Sequence, residues 1–550
     1  MIRKTVIILL MSLSLVSVFA SNMHLYDYDD KDYVMVDKIA RFSGVIGPSS
    51  STPVTSSELA IVLDRVDPSL LDGYYKHEYD RLKEKFSALN DTFSSEYELF
   101  FAPQVYLTRD QETIKPKDYF IPFENREPAG YGSASFSFGS NLFLEASLEA
   151  INNSVIKGRE GIPYTSFDFI ASNRAQDGEW NVVSTDNPIQ LFGEVPSLAR
   201  GAIGNDFFSI VIGRSHHRMG SGYSGNMVVG DNWRFQEIAK FTASSNPFTY
   251  TMDFTHFDSQ DNNGQIGKSR FSGDQVLRLI HRFDFNVLNR VRIIANLGFL
   301  MYTDNISDMR LFTPLFLVHN WYNFREGEVI TPGDEANNIM SAEIEWMIIP
   351  SLKTTMQLVV DQWKMFWEEN DVPDAFGLMF NISYLDAIKA GDIDYYLEGV
   401  YTAPNLYLNT KFDNNGDKNY NYDFALGYFR RDTGGDIEWS GHKFGPNALG
   451  IIFGTNVDLY DYNLSVDSSI SYYVHGEISY EHPYIKKKIY SWQGIPEHRF
   501  DIKSEAMWDI NDNIQLQAAI NFGFYWNFHH KRGDFIFMPQ AMIGMKWSVI

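Results

Sequence analysis

The run "SVDSSISYYVHGEISY" (Ser465 to Tyr480) puts Val466, Ile470, Tyr472, Val474, Ile478 and Tyr480 on one side of an extended backbone. Ser465, Asp467, Ser471, His475, Glu477 and Ser479 fall on the other. Successive strand side chains point to opposite faces, so a period of two kept up this long describes a strand with one apolar and one polar face. The pattern returns in "INDNIQLQAAINFGFYW", where Ile514, Leu516, Ala518, Ile520, Phe522, Phe524 and Trp526 oppose Gln515, Gln517, Asn521 and Asn527. It returns again in Tyr420, Tyr422, Phe424, Leu426 and Tyr428, and in Phe535, Phe537, Ala541, Ile543, Met545, Trp547 and Val549. Globular strands average about five to six residues, whereas a tilted strand crosses an outer membrane in roughly 9–11, with aromatic residues at its ends. The expected fold is therefore all-β, a transmembrane outer-membrane barrel of about 16–18 antiparallel strands.

In such a barrel short turns lie on the periplasmic side and long loops outside. Counting back from a periplasmic C-terminus, short links fall at Asn511 to Asn513, Leu459 to Tyr462, Asp413 to Lys418, Asp386 to Gly391, Pro350 to Ser351 and Leu288 to Asn289. Long loops fall near 258–273, 303–338, 364–375, 431–446 and 482–497, and the parity requires Ala403-Pro404-Asn405 to be a tight external turn. This predicts about sixteen strands from residue 205 onward and two more between 141 and 172.

The N-terminal part is organised differently. Residues 1–20, "MIRKTVIILLMSLSLVSVFA", set Arg3 and Lys4 before an apolar run ending Val18-Phe19-Ala20, the pattern of a cleavable export signal. An acidic leader spans 21–54, including "LYDYDDKDY" and the loop "GPSSSTP" (Gly47 to Pro53). Thr55 then stands as N-cap with Glu58 three residues on, followed by Leu59, Val62, Leu63 and Val66 at helical spacing. A second helix after Pro68 carries Leu71, Tyr75, Leu82, Phe86 and Leu89 on one face. This helical hairpin, 55–95, is too small to bury its apolar faces alone and is expected to plug the periplasmic mouth of a barrel spanning 130–550.

Composition removes other classes. Losing Arg3 and Lys4 with the signal takes the net charge from −24 to −26, which repels nucleic acid and anionic headgroups at long range. With zero Cys there is no disulfide framework, thiolate metal site or acylated cysteine. No later run reaches the ~18 apolar residues of a spanning helix, yet 15% of the residues are aromatic, more than an ordinary secreted soluble protein carries. No cofactor or metal is implied.

The stretch "HHRMGSGYSGN" holds a GxGxxG spacing in Gly220, Gly222 and Gly225. A dinucleotide site needs such glycines to open a helix, but "NMVVGDNWRFQ" follows with no helical period. Adjacent His216 and His217 point to opposite faces of an extended chain, against shared metal ligation. There is no HExxH or GxSxG. What "VIGRSHHRMGSGYSGNMVVGDN" (Val211 to Asn232) does resemble is the strand-to-loop signature of the capsule-assembly Wzi family, with Gly213, Arg214, Gly220, Gly222 and Asn232 at matching positions. "LRLIHRFDF" with His281 and Arg282, "NNIMSAEIEW" from Asn337, "QLVVDQW" with Asp361 and "LEGVYTAPNLY" with Glu398 and Tyr401 are similar to later family patterns in the same order. The resemblance covers roughly 55 to 460. His216-His217-Arg218 replace a stretch often rich in tryptophan, and the chain ends in Ile550 rather than an aromatic residue. It implies a barrel of about 18 strands, partly blocked by N-terminal helices, that holds surface polysaccharide.

Three functions follow in order: a barrel that binds or anchors capsular or exopolysaccharide, a porin or substrate-specific channel, and a barrel-embedded hydrolase without a motif in its support. The expected partners are surface polysaccharide, outer-membrane lipid and the barrel-assembly and export machinery, in the outer membrane of a diderm cell. The candidate carbohydrate-binding residues are Trp439 and, in the loop "EHPYIKKKIYSWQG", Tyr484, Lys486, Lys487, Lys488, Tyr490 and Trp492. Trp321, Trp363 and Trp367 also fall in or beside outer loops, where tryptophan serves equally as an interface anchor. Gly213, Gly220 and Gly222 read first as turn formers, and Arg214 as the partner of a luminal carboxylate.

Overall fold

The computed structural model describes residues 23–71, 73–87, 93–108, 120–121, 126–152, 180–181, 191–193, 196–232, 235–257, 275–303, 312–313, 335–362, 375–407, 409–412, 418–421, 430–431, 437–439, 441–477 and 494–549. Eighteen antiparallel strands form its wall. The first is β1 (Phe93–Phe101, continuing as Gln104–Thr108), then β2 (Gly130–Phe138), β3 (Leu142–Asn152), β4 (Leu198–Gly204), β5 (Phe208–Ser215) and β6 (Gln236–Ser244). Next come β7 (Phe248–Phe257), β8 (Gln275–Val287), β9 (Val291–Thr303), β10 (Glu335–Ile349), β11 (Leu352–Gln362) and β12 (Ala375–Ile388). The wall ends with β13 (Gly391–Thr402), β14 (Ala448–Leu459), β15 (Leu464–His475), β16 (Glu497–Asn511), β17 (Ile514–Trp526) and β18 (Phe535–Ser548). The sheet closes where β18 pairs with β1, at Ile543↔Val105 and Trp547↔Phe101. Closure leaves no open edge, as a lipid-embedded sheet requires. This is an outer-membrane β-barrel fold.

Alternation sets the two faces. Ile212, Ile344, Phe380, Phe453, Ile520 and Ile543 are exposed on the outside, while Asp253, Arg282, Asn296, Glu343, Gln357 and Asn381 are buried within. Phe285, Trp346, Tyr384, Trp508 and Trp547 stand outward at one end of the strands and Tyr472, Trp526 and Phe535 at the other, the two aromatic girdles of a membrane-spanning barrel. At the first end the strands are joined by turns of two to four residues. Leu288 and Asn289 make one of them by taking left-handed φ of 53° and 57°. By the barrel rule this is the periplasmic end.

Three helices sit there: α1 (Lys31–Phe42), α2 (Ser56–Leu63) and α3 (Gly73–Ser87). Thr55 and Glu58 form the expected capping box. Val36, Ile39, Leu59, Val62, Leu63, Tyr75, Leu82 and Phe86 share one small core, each large apolar side chain contributing roughly 1.5–3 kcal/mol. The helices are too short to persist alone, and the barrel's turns complete them: Ile46 N–H donates to Asn289 O at 2.9 Å, Ser351 N–H to Arg41 O at 2.8 Å, and Tyr74 stacks on Tyr460 at 4.1 Å.

Several expectations need correction. The wall begins at Phe93 rather than near 130, because the segment after the helices is itself a strand. Fourteen strands, not sixteen, follow residue 205. The two extra were placed between 403 and 447, but Thr402 of β13 pairs directly with Ala448 of β14, so the whole segment is one outer connection. Within it Asn409–Phe412 pairs only with Lys418–Asn421, so the link at Asp413 to Lys418 does not join wall strands. Tyr420 lies in that hairpin, and Tyr422, Phe424, Leu426 and Tyr428 lie outside the described residues. A period of two defines a strand but not the sheet it joins. The leader also holds α1, whose apolar positions are masked by Asp32, Asp37 and Lys38.

Candidate functional site

The lumen is occupied by three segments of the chain. The first runs up from α1: Ser51–Thr52 pairs with Arg218–Met219, and Lys240 of β6 donates to Ser51 O and Pro53 O at 2.6 and 2.7 Å. Arg292 of β9 holds the same segment through Pro48 O at 2.8 Å, and Arg282 of β8 through Ser50 Oγ at 2.9 Å. Buried backbone groups need partners, and the polar inner wall supplies them.

The second is the glycine-rich stretch. It leaves β5 after Ser215; Gly213, near the end of that strand, has a φ of 133° that no L side chain adopts easily, and a Cβ there would meet the backbone of Ala199 and Arg200. His217 is buried, Nδ1 at 2.7 Å from Thr52 O and Nε2 at 3.1 Å from Asp253; His216 packs on Phe235 at 4.5 Å. The two rings thus serve separate structural contacts. The chain then crosses to β13. There Glu398 accepts from Tyr223 N–H and Ser224 N–H at 2.7 and 2.8 Å and from Ser224 Oγ. Ser221 Oγ donates to Glu345, Asn381 donates to Ser221 O at 3.1 Å, and Tyr223 stacks on Tyr396 at 4.0 Å and 1°. From β5 to β13 is nearly halfway round, so this segment spans the lumen. The N–H groups that would face a phosphate are taken by the protein's own carboxylate.

The third is the β13–β14 connection. Asn232 donates to Trp439 O and Gly441 O at 2.7 and 2.8 Å, and Tyr407 Oη donates to Met227 O at 2.5 Å. His442 is buried with Nε2 3.3 Å from Ser224 Oγ, and burial, then the neighbouring Lys443, push its imidazole down to about 3. It is therefore neutral.

The family-pattern residues divide accordingly. Gly213, Gly220, Gly222, Asn232 and Arg282 all shape or hold the luminal plug. Gly220 has φ of 130°, and a Cβ on Gly222 would strike the Gly225 carbonyl. Arg214 is half-buried near Phe235 in register with Glu237, on the face that carries exposed Ile212. His281 and Arg282 point to opposite faces: His281 meets Tyr250 Oη at 2.8 Å outside, while Arg282 pairs with Asp284 at 2.7 Å within. Asp361 lies at an irregularity of the β11–β12 register, close to the Tyr407 backbone. Trp439 corrects the expectation of a sugar platform. It is 4% exposed and covered by Tyr407 and Gly445, leaving no ring face for a ligand. Tyr484, Lys486, Lys487, Lys488, Tyr490 and Trp492, with Trp321, Trp363 and Trp367, lie outside the described residues. Lys240 and Asn381 were missed; only their inward parity marked them.

No family model matches the chain, and no curated protein matches it. Among solved structures it is similar to Wzi of Escherichia coli, an outer-membrane protein involved in group 1 capsule assembly and described as a carbohydrate-binding β-barrel. The identity is 13%, the match covers 96% of this chain and 99% of that one, and the TM-score is 0.53. Pseudomonas aeruginosa OccK8 (OprE) is 9% identical over 83% of this chain and 98% of its own, with a TM-score of 0.41. The outer membrane channel DcaP of Acinetobacter baumannii is 10% identical over 83% and 97%, with a TM-score of 0.35. The likeness to Wzi is one of fold: this chain shares that barrel, including its coverage across the N-terminal helices.

Proposed function

We propose that this protein binds or anchors a surface polysaccharide in the outer membrane of a diderm cell, to which an N-terminal signal delivers it, and that it acts as a binding barrel rather than an enzyme. The observation that carries the reading is the lumen-spanning Ser221–Asn226 stretch bonded to Glu345, Asn381 and Glu398, which obstructs a pore where a diffusion channel needs one open. The fold shared with a carbohydrate-binding barrel supports it. The outer loop carrying Tyr484, Lys486, Lys487, Lys488, Tyr490 and Trp492 offers aromatic faces for sugar C–H groups and cations for acidic units. Replacing Tyr490 and Trp492 with alanine should release surface polysaccharide while the heat-dependent gel shift of a folded barrel persists. Unchanged retention removes that loop as the site.

A channel is the second reading. It is favoured by the inner face of β16, where Lys503 and Glu505 keep 33% and 28% of their side chains exposed. A planar-bilayer trace separates the two: an open-pore conductance from intact protein would put the channel first.

A further inference from the structure

Neither the plug nor the wall fills one cavity at the periplasmic rim. It lies between α2 and the periplasmic ends of β6 to β9, with a volume of about 30 Å³. Ile61, Val62 and Arg65 line it from the helix side, and Ser244, Ser245 and Arg292 from the wall. Ser245, in the turn between β6 and β7, is exposed, so the cavity opens to the periplasmic side.

Three buried donors in its lining meet no acceptor. Arg65 follows the C-terminus of α2 and is half-buried; its Nη2 donates to Ile46 O at 3.1 Å, whereas Nε and Nη1 have no partner. Ser244 closes β6 with its N–H on Phe207 O at 2.8 Å, and its Oγ is likewise buried and unpartnered. A guanidinium only donates, and a buried donor without an acceptor has lost its water uncompensated. Burial first, then the like charge of Arg292, also act against the Arg65 charge.

The carboxylates that line the same cavity are committed elsewhere. Asp284 is held by Arg282 at 2.7 Å and by Ser49 Oγ at 3.2 Å. Glu58 is turned to the start of α2, where it accepts from Thr55 N–H at 2.9 Å and Thr55 Oγ1 at 3.0 Å. Arg292 pairs with Glu345 at 2.9 Å and gives its other nitrogens to Asn286 Oδ1 and Gly47 O. Among the described residues no carboxylate forms an ion pair with Arg65.

We propose that this cavity is a carboxylate-binding pocket, in which a carboxylate entering from the periplasm accepts from Arg65 and from Ser244 Oγ. Donors without acceptors select an occupant that only accepts. Size selects further: one water needs roughly 10–15 Å³ of such space, so about 30 Å³ admits a carboxylate and excludes a sugar ring. The bonds to Arg65 would be charge-assisted. A free small carboxylate and the C-terminal carboxylate of a periplasmic peptide present the same chemistry. Bound there, either would tie α2 to β6 and tighten the seam between plug and wall. The pocket lies at the opposite end of the barrel from the outer loops and does not depend on the polysaccharide reading.

The test is saturation-transfer NMR of acetate with the full chain in detergent micelles, at constant ionic strength. The competitors are chloride, inorganic phosphate, and a short peptide with either a free or an amidated C-terminus. Wild-type protein should bind acetate, R65Q about tenfold and S244A about threefold more weakly, as the loss of a charged and a neutral hydrogen bond requires. S244A breaks no bond of the unliganded protein, so it should keep the heat-dependent gel shift and carries the test if R65Q does not fold. Acetate should also slow hydrogen exchange in Ser56–Leu63 of wild type. Competition by the free-acid peptide and not by its amide supports a presented C-terminus, and competition by neither supports a free carboxylate. Absence of acetate binding, or equal affinity in wild type and S244A, leaves the pocket to water and overturns the proposal. Displacement of acetate by chloride or phosphate at equal or lower concentration overturns selection of a carboxylate.

Discussion

The inner wall from β4 to β15 and the inner face of β16 are built from the same alternating sequence and end in opposite states. Along the first, cations meet carboxylates in dry surroundings: Arg200 with Asp27 and Glu145 at 2.8 and 2.7 Å, Arg292 with Glu345 at 2.9 Å, Arg41 with Asp394 at 2.6 Å, and Lys38 with Asp392 at 2.8 Å. Along β16, Lys503 meets Glu505 at 3.2 Å with both side chains partly exposed, so water reaches the pair. A polar inner face is thus bonding capacity that the chain seals in dry pairs on one side and leaves open to water on the other.

The largest expected effect strips the cover from the periplasmic end of the first side. Deleting residues 55–90 removes α2 and α3, the helices packed on α1 and on Tyr460 at the periplasmic mouth. Single-channel conductance should rise over intact protein, up to the limit set by the Ser221–Asn226 stretch that remains across the lumen, while the unboiled band keeps its mobility. Equal conductance would mean that the helices close nothing.

A single-residue version compares the two sides directly. Lys38→Met takes the ammonium from Asp458 and from Asp392, which also gathers the Tyr75 and Tyr460 hydroxyls. Stranding a buried charge costs roughly 3–5 kcal/mol. Lys503→Gln breaks a pair that water screens, a change of under about 1 kcal/mol. Hydrogen exchange in α1 and the melting temperature should report the first and barely register the second. Equal effects would erase the distinction between the two walls.

The wall was legible in sequence because lipid outside and polar groups inside impose the alternation on nearly every strand, as Ile514 to Trp526 and Phe535 to Ser548 show. Its contents were much less so. Gly220, Gly222 and Asn232 stood out as a pattern, but the groups that pin this stretch, Glu398 on Tyr223 and Ser224 and the Trp439 and Gly441 carbonyls on Asn232, lie more than 170 positions away, and no local period encodes such pairs. Trp439 misled for the same reason: an aromatic residue in a loop looks exposed until the loop folds inward. Lys38 and Arg41 were overlooked because a charged helix face reads as solvated, whereas here that face is the one buried.

The pin between two luminal segments gives a smaller effect. Asn232→Ala strands the Trp439 and Gly441 carbonyls, a loss of roughly 1–3 kcal/mol. Limited proteolysis should then cut the 403–447 connection sooner than in wild type, with the melting temperature only slightly lowered. An unchanged cleavage rate would show that Tyr407 and His442 hold the connection without it.

The smallest expected effect lies where the chain enters α1. Asp30 accepts from Asp27 N–H at 2.6 Å, while Asp27 is held by Arg200 at 2.8 Å. Burial first, then the charge of Asp27, push the Asp30 carboxyl up to about 8. A carboxyl raised in the folded state favours folding in its neutral form, so its contribution is complete below its unfolded value of about 3.9 and is lost as pH rises through about 8. The N-terminal plug should therefore be released more readily at pH 9 than at pH 6, as faster proteolysis within 31–42 or a small rise in conductance. Asp30→Asn keeps an oxygen to accept the Asp27 amide and has no proton to lose. It should flatten that pH dependence, whereas a variant that follows the wild-type profile would place the titrating group elsewhere.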